Sequence, residues 1–190
     1  MNVGPYRFSE FKELAVKFHG YAAPGLLIGG YMTTAAAAAL PAGVLFEALV
    51  ETYNCLPDAV QLLTPCSTGN KRLHVAPYGK TALSLFDKYT GRGVRARVDP
   101  ALLGPWPEIR AWIMKEKSKQ EQDEALLEQQ IAEAGTTIMT LRPVTVDLPR
   151  LNRKSDGPLA VCPRCGESFP AAHGSLCRAC AEGAPYSVSP

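Results

Sequence analysis

The sequence predicts a protein of the α+β class, in which helices pack on a mixed or antiparallel sheet and a small zinc ribbon follows. Three observations support this prediction. Two stretches near the N-terminus have helical character, residues 71–98 read as short strands separated by turns, and four cysteines lie in the last thirty residues. We expect a body over residues 1–150, a linker over 151–157, and the ribbon with its tail over 158–190.

The N-terminal region begins with two predicted helices. Ser9 can cap the first helix, which stops at Gly20. Its core-facing stripe, at the i, i+3, i+4, i+7 spacing, consists of Phe11, Leu14, Ala15 and Phe18. Pro24 suits the first position of a second helix that reaches about Leu40. Two adjacent glycines and an alanine run make this helix thin, so that neighbouring elements or a bound group can approach it closely; tight packing is the commoner reason.

Strands and helices then alternate along the chain. The expected elements are a buried strand at 44–50, a helix at 56–63, a β-meander at 72–98, a helix at 106–134 and a strand at 136–141. The middle of the 106–134 helix, residues 115–124, is almost wholly polar. A stretch of helix that is polar all round is either exposed to solvent or in contact with a partner. For this run the two alternatives are a solvated helix face and a dimer contact.

The four C-terminal cysteines form two C-x2-C pairs, Cys162 with Cys165 and Cys177 with Cys180, separated by eleven residues. Two such pairs on two tight turns can hold a zinc ion at about 2.3 Å from each sulfur. Gly166 follows the first pair and permits a positive φ beside the metal. The segment is too short to build a useful apolar core, so a crosslink must hold it. We favour zinc; two disulfides and a catalytic dithiol are the alternatives.

The overall charge bounds the choice of partners. The formal net charge is +2, and four thiolates with one bound zinc ion would bring the protein close to neutrality. Nucleic-acid binders usually have a basic face, so we expect no nucleic-acid partner. No secretory signal opens the chain, and the uncharged stretch 22–46 contains prolines, glycines and alanines that suit a buried helix and strand better than a membrane span. We therefore expect a cytoplasmic protein with no membrane contact.

Three residues in the body have side chains that can bind a soft metal ion. His19 lies at the end of the first helix, Cys55 directly precedes the 56–63 helix, and Cys66 lies in a turn rich in hydroxyls and glycine. Imidazole and thiolate suit zinc, nickel or copper. The start of a helix should also lower the pKa of the Cys55 thiol. Purely structural roles are the alternative, since an isolated cysteine is often a small buried hydrophobe.

The chain resembles the family of the E-type subunit of formylmethanofuran dehydrogenase and its stand-alone relatives. The motifs that carry the resemblance are Phe-His-Gly-Tyr-Ala-Ala-Pro-Gly at 18–25, Cys-Leu-Pro-Asp-Ala-Val-Gln at 55–61, Thr-Pro-Cys-Ser-Thr-Gly-Asn at 64–70, and the cysteine tail. The resemblance implies an α+β body that is frequently a homodimer, a metal site near the first motif, and a link to molybdenum or tungsten enzymes. The candidate metal ligands in the body are then His19, Cys66 and Cys55, and the candidate cofactor-binding residues are Tyr21, Asp58 and Gln61.

The first motif departs from the family pattern at two positions. The usual motif reads Phe-His-Gly-His-x-Cys-Pro-Gly, whereas Tyr21 and Ala23 replace its second histidine and its cysteine here. Two potential ligands are therefore missing, and two surviving ligands rarely hold a metal tightly.

Three functions are compatible with these features. We favour a non-catalytic metal-binding accessory protein, with a structural zinc ion in the ribbon and a second metal or cofactor pocket around His19 and Cys66. It would serve a molybdenum or tungsten oxidoreductase. One alternative is an enzyme with Cys66 or Cys55 as nucleophile and His19 as base. The other is a zinc-finger regulator that docks on the transcription machinery.

Overall fold

A computed structural model describes residues 1–151 and 157–186, and its fold is of the predicted α+β class. The chain divides into two units, Met1–Leu148 and Pro149–Pro190. The larger unit contains helices α1 (Phe8–His19), α2 (Pro24–Ala38), α3 (Leu56–Leu63), α4 (Pro107–Met114) and α5 (Glu124–Ala134), and strands β1 (Phe46–Val50), β2 (Leu73–Val75), β3 (Ala82–Asp87), β4 (Arg92–Val98) and β5 (Met139–Thr145). A short helix, α6 (Leu148–Leu151), follows β5. Most of the expected 151–157 linker lies outside the described residues, as does the end of the tail.

The five strands of the larger unit form one sheet in the order β2-β1-β3-β4-β5. The β3–β4–β5 portion is antiparallel, but β2 runs parallel to β1, with Ala48 opposite Leu73. The predicted meander is therefore wrong at its first step, because β2 pairs with β1 and not with β3. Helix α3 connects β1 to β2, and a helical crossover of this kind is what a parallel pair requires.

Helix α2 lies at the centre of the core, and its two adjacent glycines admit neighbouring elements closely. A Cβ atom on Gly30 would overlap the Phe11 ring and lie 2.7 Å from Val3 Cγ1, and one on Gly29 would lie 2.8 Å from Ala59 Cβ. Tight packing, the commoner of the two explanations, is thus what the structure shows at these two positions. The uncharged stretch 22–46 forms α2 and the start of β1, as predicted. None of the helices in the described parts of the chain has the length and apolar character that crossing a bilayer requires.

Helix α1 differs from the prediction at its start and along its stripe. It begins at Phe8, where the backbone N–H of Arg7 donates to Glu10 Oε2 at 2.7 Å, so Ser9 is not the cap. Phe11 is fully buried, whereas Phe18 is 52% exposed. In the last turn of α1, His19 contacts Asp58 of α3, and Phe18 lies at the surface. The helix ends as predicted at Gly20, which has a φ of 92°.

The predicted 106–134 helix is interrupted. Lys115 takes a left-handed conformation with a φ of 54° and ends α4, while Asp123 caps α5 by accepting from the Leu126 N–H at 2.9 Å. Between them, Ser118 and Glu121 form a capped turn, with the Ser118 N–H donating to Glu121 Oε2 at 2.9 Å. The polar run is thus a structured loop and not a solvated helix face. Strand β5 begins at Met139, later than predicted, and continues to Thr145.

The smaller unit is built on a two-stranded antiparallel sheet and a helix. Its elements are β6 (Leu159–Val161), β7 (Ser168–Pro170) and α7 (Arg178–Glu182). Among the described residues of this unit, the buried ones are Cys162, Phe169 and Cys177.

Candidate functional site

The four cysteines of the smaller unit converge on one point. Their sulfur atoms all lie within 4.8 Å of one another, and Cys165 Sγ lies 3.8 Å from Cys177 Sγ. That distance is far longer than a disulfide bond of about 2.05 Å. It matches the separation of about 3.8 Å that two sulfurs have when each is about 2.3 Å from a tetrahedral zinc ion. The four-cysteine cluster therefore fits a structural zinc site.

Local structure positions the two cysteine pairs differently. The first pair lies on the turn between β6 and β7, where Gly166 has a φ of 77° and its N–H donates to the Cys162 carbonyl at 2.8 Å. The second pair lies at the start of α7, with Cys177 as the N-cap and Cys180 in the first turn. The sequence predicted a second tight turn here, whereas the structure has the start of a helix. The Cys177 backbone N–H is the main cause that lowers the pKa of Cys162 to about 6, whereas the Cys177 thiol is the main cause that raises the pKa of Cys180 to about 12. Cys162 is therefore the thiol of these two that loses its proton first.

In the body, His19 is brought to the first turn of α3. Its Nδ1 lies 2.6 Å from Asp58 Oδ2, and its ring lies 5.2 Å from the Tyr21 ring. The other carboxylate oxygen, Asp58 Oδ1, accepts from Gln61 Nε2 at 3.3 Å. The backbone N–H of Thr68 in turn donates to Gln61 Oε1 at 3.5 Å. Residues from all three sequence motifs of the body are thus connected in one polar network.

Cys66 is sealed inside the body. It has no exposed surface, and its Sγ donates to the Phe46 carbonyl at 3.6 Å. Burial raises the pKa of the Cys66 thiol. A fully buried, protonated thiol with a backbone acceptor has the environment of a structural core residue.

Cys55 is more accessible than Cys66. It is the N-cap of α3, is partly buried, and has a φ of 51°. The expected lowering of its thiol pKa is wrong: burial and the Asp58 carboxylate raise the pKa, and they outweigh the backbone N–H of Leu26, which lowers it. A Cβ atom on Gly25, at the start of α2, would lie 3.3 Å from Cys55 Sγ.

The body holds no second metal cluster that is already assembled. Across the described ranges 1–151 and 157–186, the quartet of the smaller unit is the only group of three or more histidine, cysteine or acidic ligand atoms close enough to share an ion. His19 and Cys55 could contribute to a site only together with water or a further ligand.

A cleft of about 660 Å³ opens beside Cys55 in the larger unit. Tyr21 and Cys55 lie on its lining, together with Trp112 and several lysines. The sequence motifs assigned no binding role to Trp112 or to the lysines. The lysines that follow α4 occupy every second position from 115 to 119. This regular spacing of positive charge was the signal in the sequence that could have indicated a binding role.

Comparison with known proteins identifies the family. The family described as "FmdE, Molybdenum formylmethanofuran dehydrogenase operon" matches residues 18–146, and the "FmdE treble clef zinc finger" matches residues 153–187. This chain belongs to the FmdE family. The treble-clef description agrees with the second cysteine pair at the start of α7, so the predicted ribbon is better described as a treble-clef finger.

A solved structure supports this assignment over the full length of the FmdE-like chain. A tungsten formylmethanofuran dehydrogenase FmdE-like protein from Syntrophus aciditrophicus is 47% identical to it, with a TM-score of 0.90, and the match covers 98% of each chain. A probable S-adenosyl-L-methionine-binding protein from Archaeoglobus fulgidus is 34% identical over 93 residues. The matched stretch is 45% of this chain but only 25% of the archaeal protein, so the chain spans about a quarter of that relative's length.

Proposed function

We propose that this FmdE-like chain is a non-catalytic accessory protein of a molybdenum or tungsten oxidoreductase of the formylmethanofuran dehydrogenase type. In this proposal the finger is a rigid docking unit closed by a structural zinc ion, and the body holds a second metal ion or a cofactor for the partner enzyme. The protein acts in the cytoplasm as a homodimer, with oxidoreductase subunits as its partners. The family description and the name of the Syntrophus relative support the choice of enzyme system.

The contact of 2.6 Å between His19 and Asp58 carries the proposal for the body. A carboxylate at Nδ1 stabilises the tautomer that has its proton there, which leaves the Nε2 lone pair available to a metal. Histidines that bind metals almost always donate their other ring N–H to a carboxylate, a carbonyl or water. Gln61 holds Asp58 in turn, so His19 already has the supporting contacts of a ligand.

The sulfur ligand is better supplied by Cys55 than by Cys66. Cys55 lines the cleft next to Tyr21, whereas Cys66 has no exposed surface. Binding of a metal to Cys55 would release the thiol proton, and the raised pKa of this thiol makes such binding weaker at neutral pH. One imidazole and one thiolate form a weak site, and a weak site suits a protein that passes its metal to a partner.

Elemental analysis of protein purified without a tag tests this proposal. The wild type should contain more than one metal equivalent per chain, and the double variants His19→Ala/Cys55→Ala and His19→Ala/Cys66→Ala should each fall to one. The matched control is His74→Ala, because His74 Nε2 also contacts a carboxylate, Glu47 Oε2 at 2.8 Å, but lies outside the motifs. One equivalent in every variant, wild type included, would exclude the metal site in the body.

A thiol enzyme is the second candidate, because Asp58 supplies the group that such an enzyme needs to orient the imidazole. Against it, the pKa values of both body thiols are raised, so neither is a ready thiolate at neutral pH. Reconstitution separates the remaining candidates. Co-expression with formylmethanofuran dehydrogenase subunits should yield a stable complex, and binding to RNA polymerase alone would favour a transcription regulator.

A further inference from the structure

The 660 Å³ cleft has a composition that the proposed metal site does not explain. Its lining combines apolar side chains from α2, α3, α4 and α5 with polar residues, and one wall is formed by the polar loop after α4. The apolar lining residues are Leu27, Leu56, Ile113, Leu127 and Ile131. The volume falls within the range of about 300–1,000 Å³ that small-molecule sites have. We infer that this cleft binds a small organic anion that carries a planar ring.

The charge of the lining selects an anion. Four lysines and two glutamates line the cleft. Glu128 is paired with Lys12 Nζ at 2.7 Å, and Lys12 is not part of the lining. Glu124 and Lys80 have no ion pair among the described residues, and their opposite charges offset each other. Lys117 is paired with Glu108, whereas Lys115 and Lys119 have no ion pair among the described residues. These two ammonium groups are therefore available to a carboxylate, phosphate or sulfonate.

The capped loop that interrupts the predicted helix delivers these lysines to the cleft. The left-handed conformation of Lys115 turns the chain away from α4, and the Ser118–Glu121 cap holds the turn that carries Lys119. In one continuous helix, Lys115 and Lys119 would share a face, and Lys117 would lie about 200° away from Lys115 on the other side. In the loop, all three lysines line the cleft. The fold of the loop thus gives the polar run a role as a cleft wall, which neither a solvated helix face nor a dimer contact would require.

Two aromatic side chains near the start of α2, one from α4 and one from the segment before α2, favour a ligand with a planar ring. Trp112 and Tyr21 both line the cleft, and Tyr21 is 58% exposed. A Cβ atom on Gly25 would lie 3.2 Å from Trp112 Cη2, so the indole packs closely against the start of α2. The first turn of α2 contains no acidic residue and its N-cap makes no side-chain hydrogen bond. The positive end of its dipole adds to the attraction of the lysines for an anion.

Two fluorescent dyes with the same ring system test the inference. The anionic probe is 1-anilinonaphthalene-8-sulfonate, and the neutral one is N-phenyl-1-naphthylamine. Wild-type protein should bind the sulfonate more tightly, and Lys115→Gln/Lys119→Gln should weaken sulfonate binding about threefold to tenfold, as loss of two exposed ion pairs implies. Binding of the neutral dye should change less than twofold. The matched control is Lys71→Gln/Lys88→Gln, which removes two exposed lysines outside the cleft.

Three results would overturn the inference. The first is equal affinity for both dyes in the wild type, and the second is an equal loss of sulfonate binding in the control variant. The third is an unchanged affinity for the sulfonate dye in Trp112→Ala, provided that circular dichroism shows this variant to be folded. Because Cys55 lines the same cleft, the dye measurements are repeated in a His19→Ala/Cys55→Ala background, which lacks the proposed metal ligands. The effect of the lysine substitutions should persist there, and its disappearance would also overturn the inference.

Discussion

Removal of the metal from the finger should unfold residues 157–186 and leave the larger unit folded. The apolar residue in the interior of the finger is Phe169, packed against the buried Cys162 and Cys177. Full burial of one phenylalanine stabilises by about 1.5–3 kcal/mol. Structural zinc contributes about 10–16 kcal/mol in comparable peptides, so the metal dominates the stability of this unit by several-fold.

Hydrogen exchange measured by mass spectrometry, with and without a chelator under reducing conditions, tests this prediction. The amides to follow are those of Cys162, which donates to Glu167 at 2.8 Å, and Gly166, which donates to Cys162 at 2.8 Å. Both should lose their protection when zinc is removed, while amides of β3 keep theirs. Cys177→Ser should reproduce the effect of the chelator and Cys66→Ser should not. Full protection in chelated, reduced protein would refute the reasoning.

The remaining predictions concern the larger unit. Gly30→Ala should destabilise the protein by about 1–3 kcal/mol in urea unfolding, because the new methyl group would overlap the Phe11 ring and lie 2.7 Å from Val3 Cγ1. Arg95→Ala should cost about 2–4 kcal/mol in the same assay, because it removes hydrogen bonds of 2.6 and 2.8 Å to Glu51 and leaves that buried carboxylate unpaired. The rate of iodoacetamide alkylation at Cys55, followed by mass spectrometry, should rise with pH and reach half of its maximum only above the value of about 8.5 for free cysteine, because burial and Asp58 raise the pKa of this thiol.

The two stability predictions have matched controls. Gly104→Ala should be close to neutral, since a Cβ atom there would meet no atom within 4 Å. Arg110→Ala removes an exposed ion pair with Glu116 and should cost less than about 1 kcal/mol. Equal losses in test and control variants would contradict the packing and ion-pair arguments. An alkylation midpoint below about 8.5 would restore Cys55 as a candidate nucleophile.

Elements with local signals could be predicted from the sequence. Pro24 and the apolar run that follows it predict α2, and the spacing of the cysteines predicts their convergence. The parallel pairing of β2 with β1 could not be predicted, because it depends on how α3 packs and not on either strand's own sequence. The break at Lys115 was missed for a related reason. A left-handed lysine has no strong local signal, and glycine or asparagine is the usual residue at such a position.

The candidate site was predictable as a set of residues but not as an arrangement. The motifs at 18–25 and 55–61 named His19 and Asp58 separately, and nothing in their spacing indicated that the two side chains would be in contact. The direction of the Cys55 pKa was predicted from the helix dipole alone. The burial of the thiol and its proximity to Asp58 are tertiary effects, and here they are larger than the effect of the helix terminus.

X-ray diffraction from crystals of tag-free protein, recorded on both sides of the zinc absorption edge, tests the account most directly. We predict a strong anomalous peak about 2.3 Å from each of the four sulfurs of Cys162, Cys165, Cys177 and Cys180, and a weaker metal peak beside Nε2 of His19. Sulfur–sulfur bonds in place of the first peak would contradict the zinc finger. Ordered water alone at His19 in metal-replete crystals would contradict the body site.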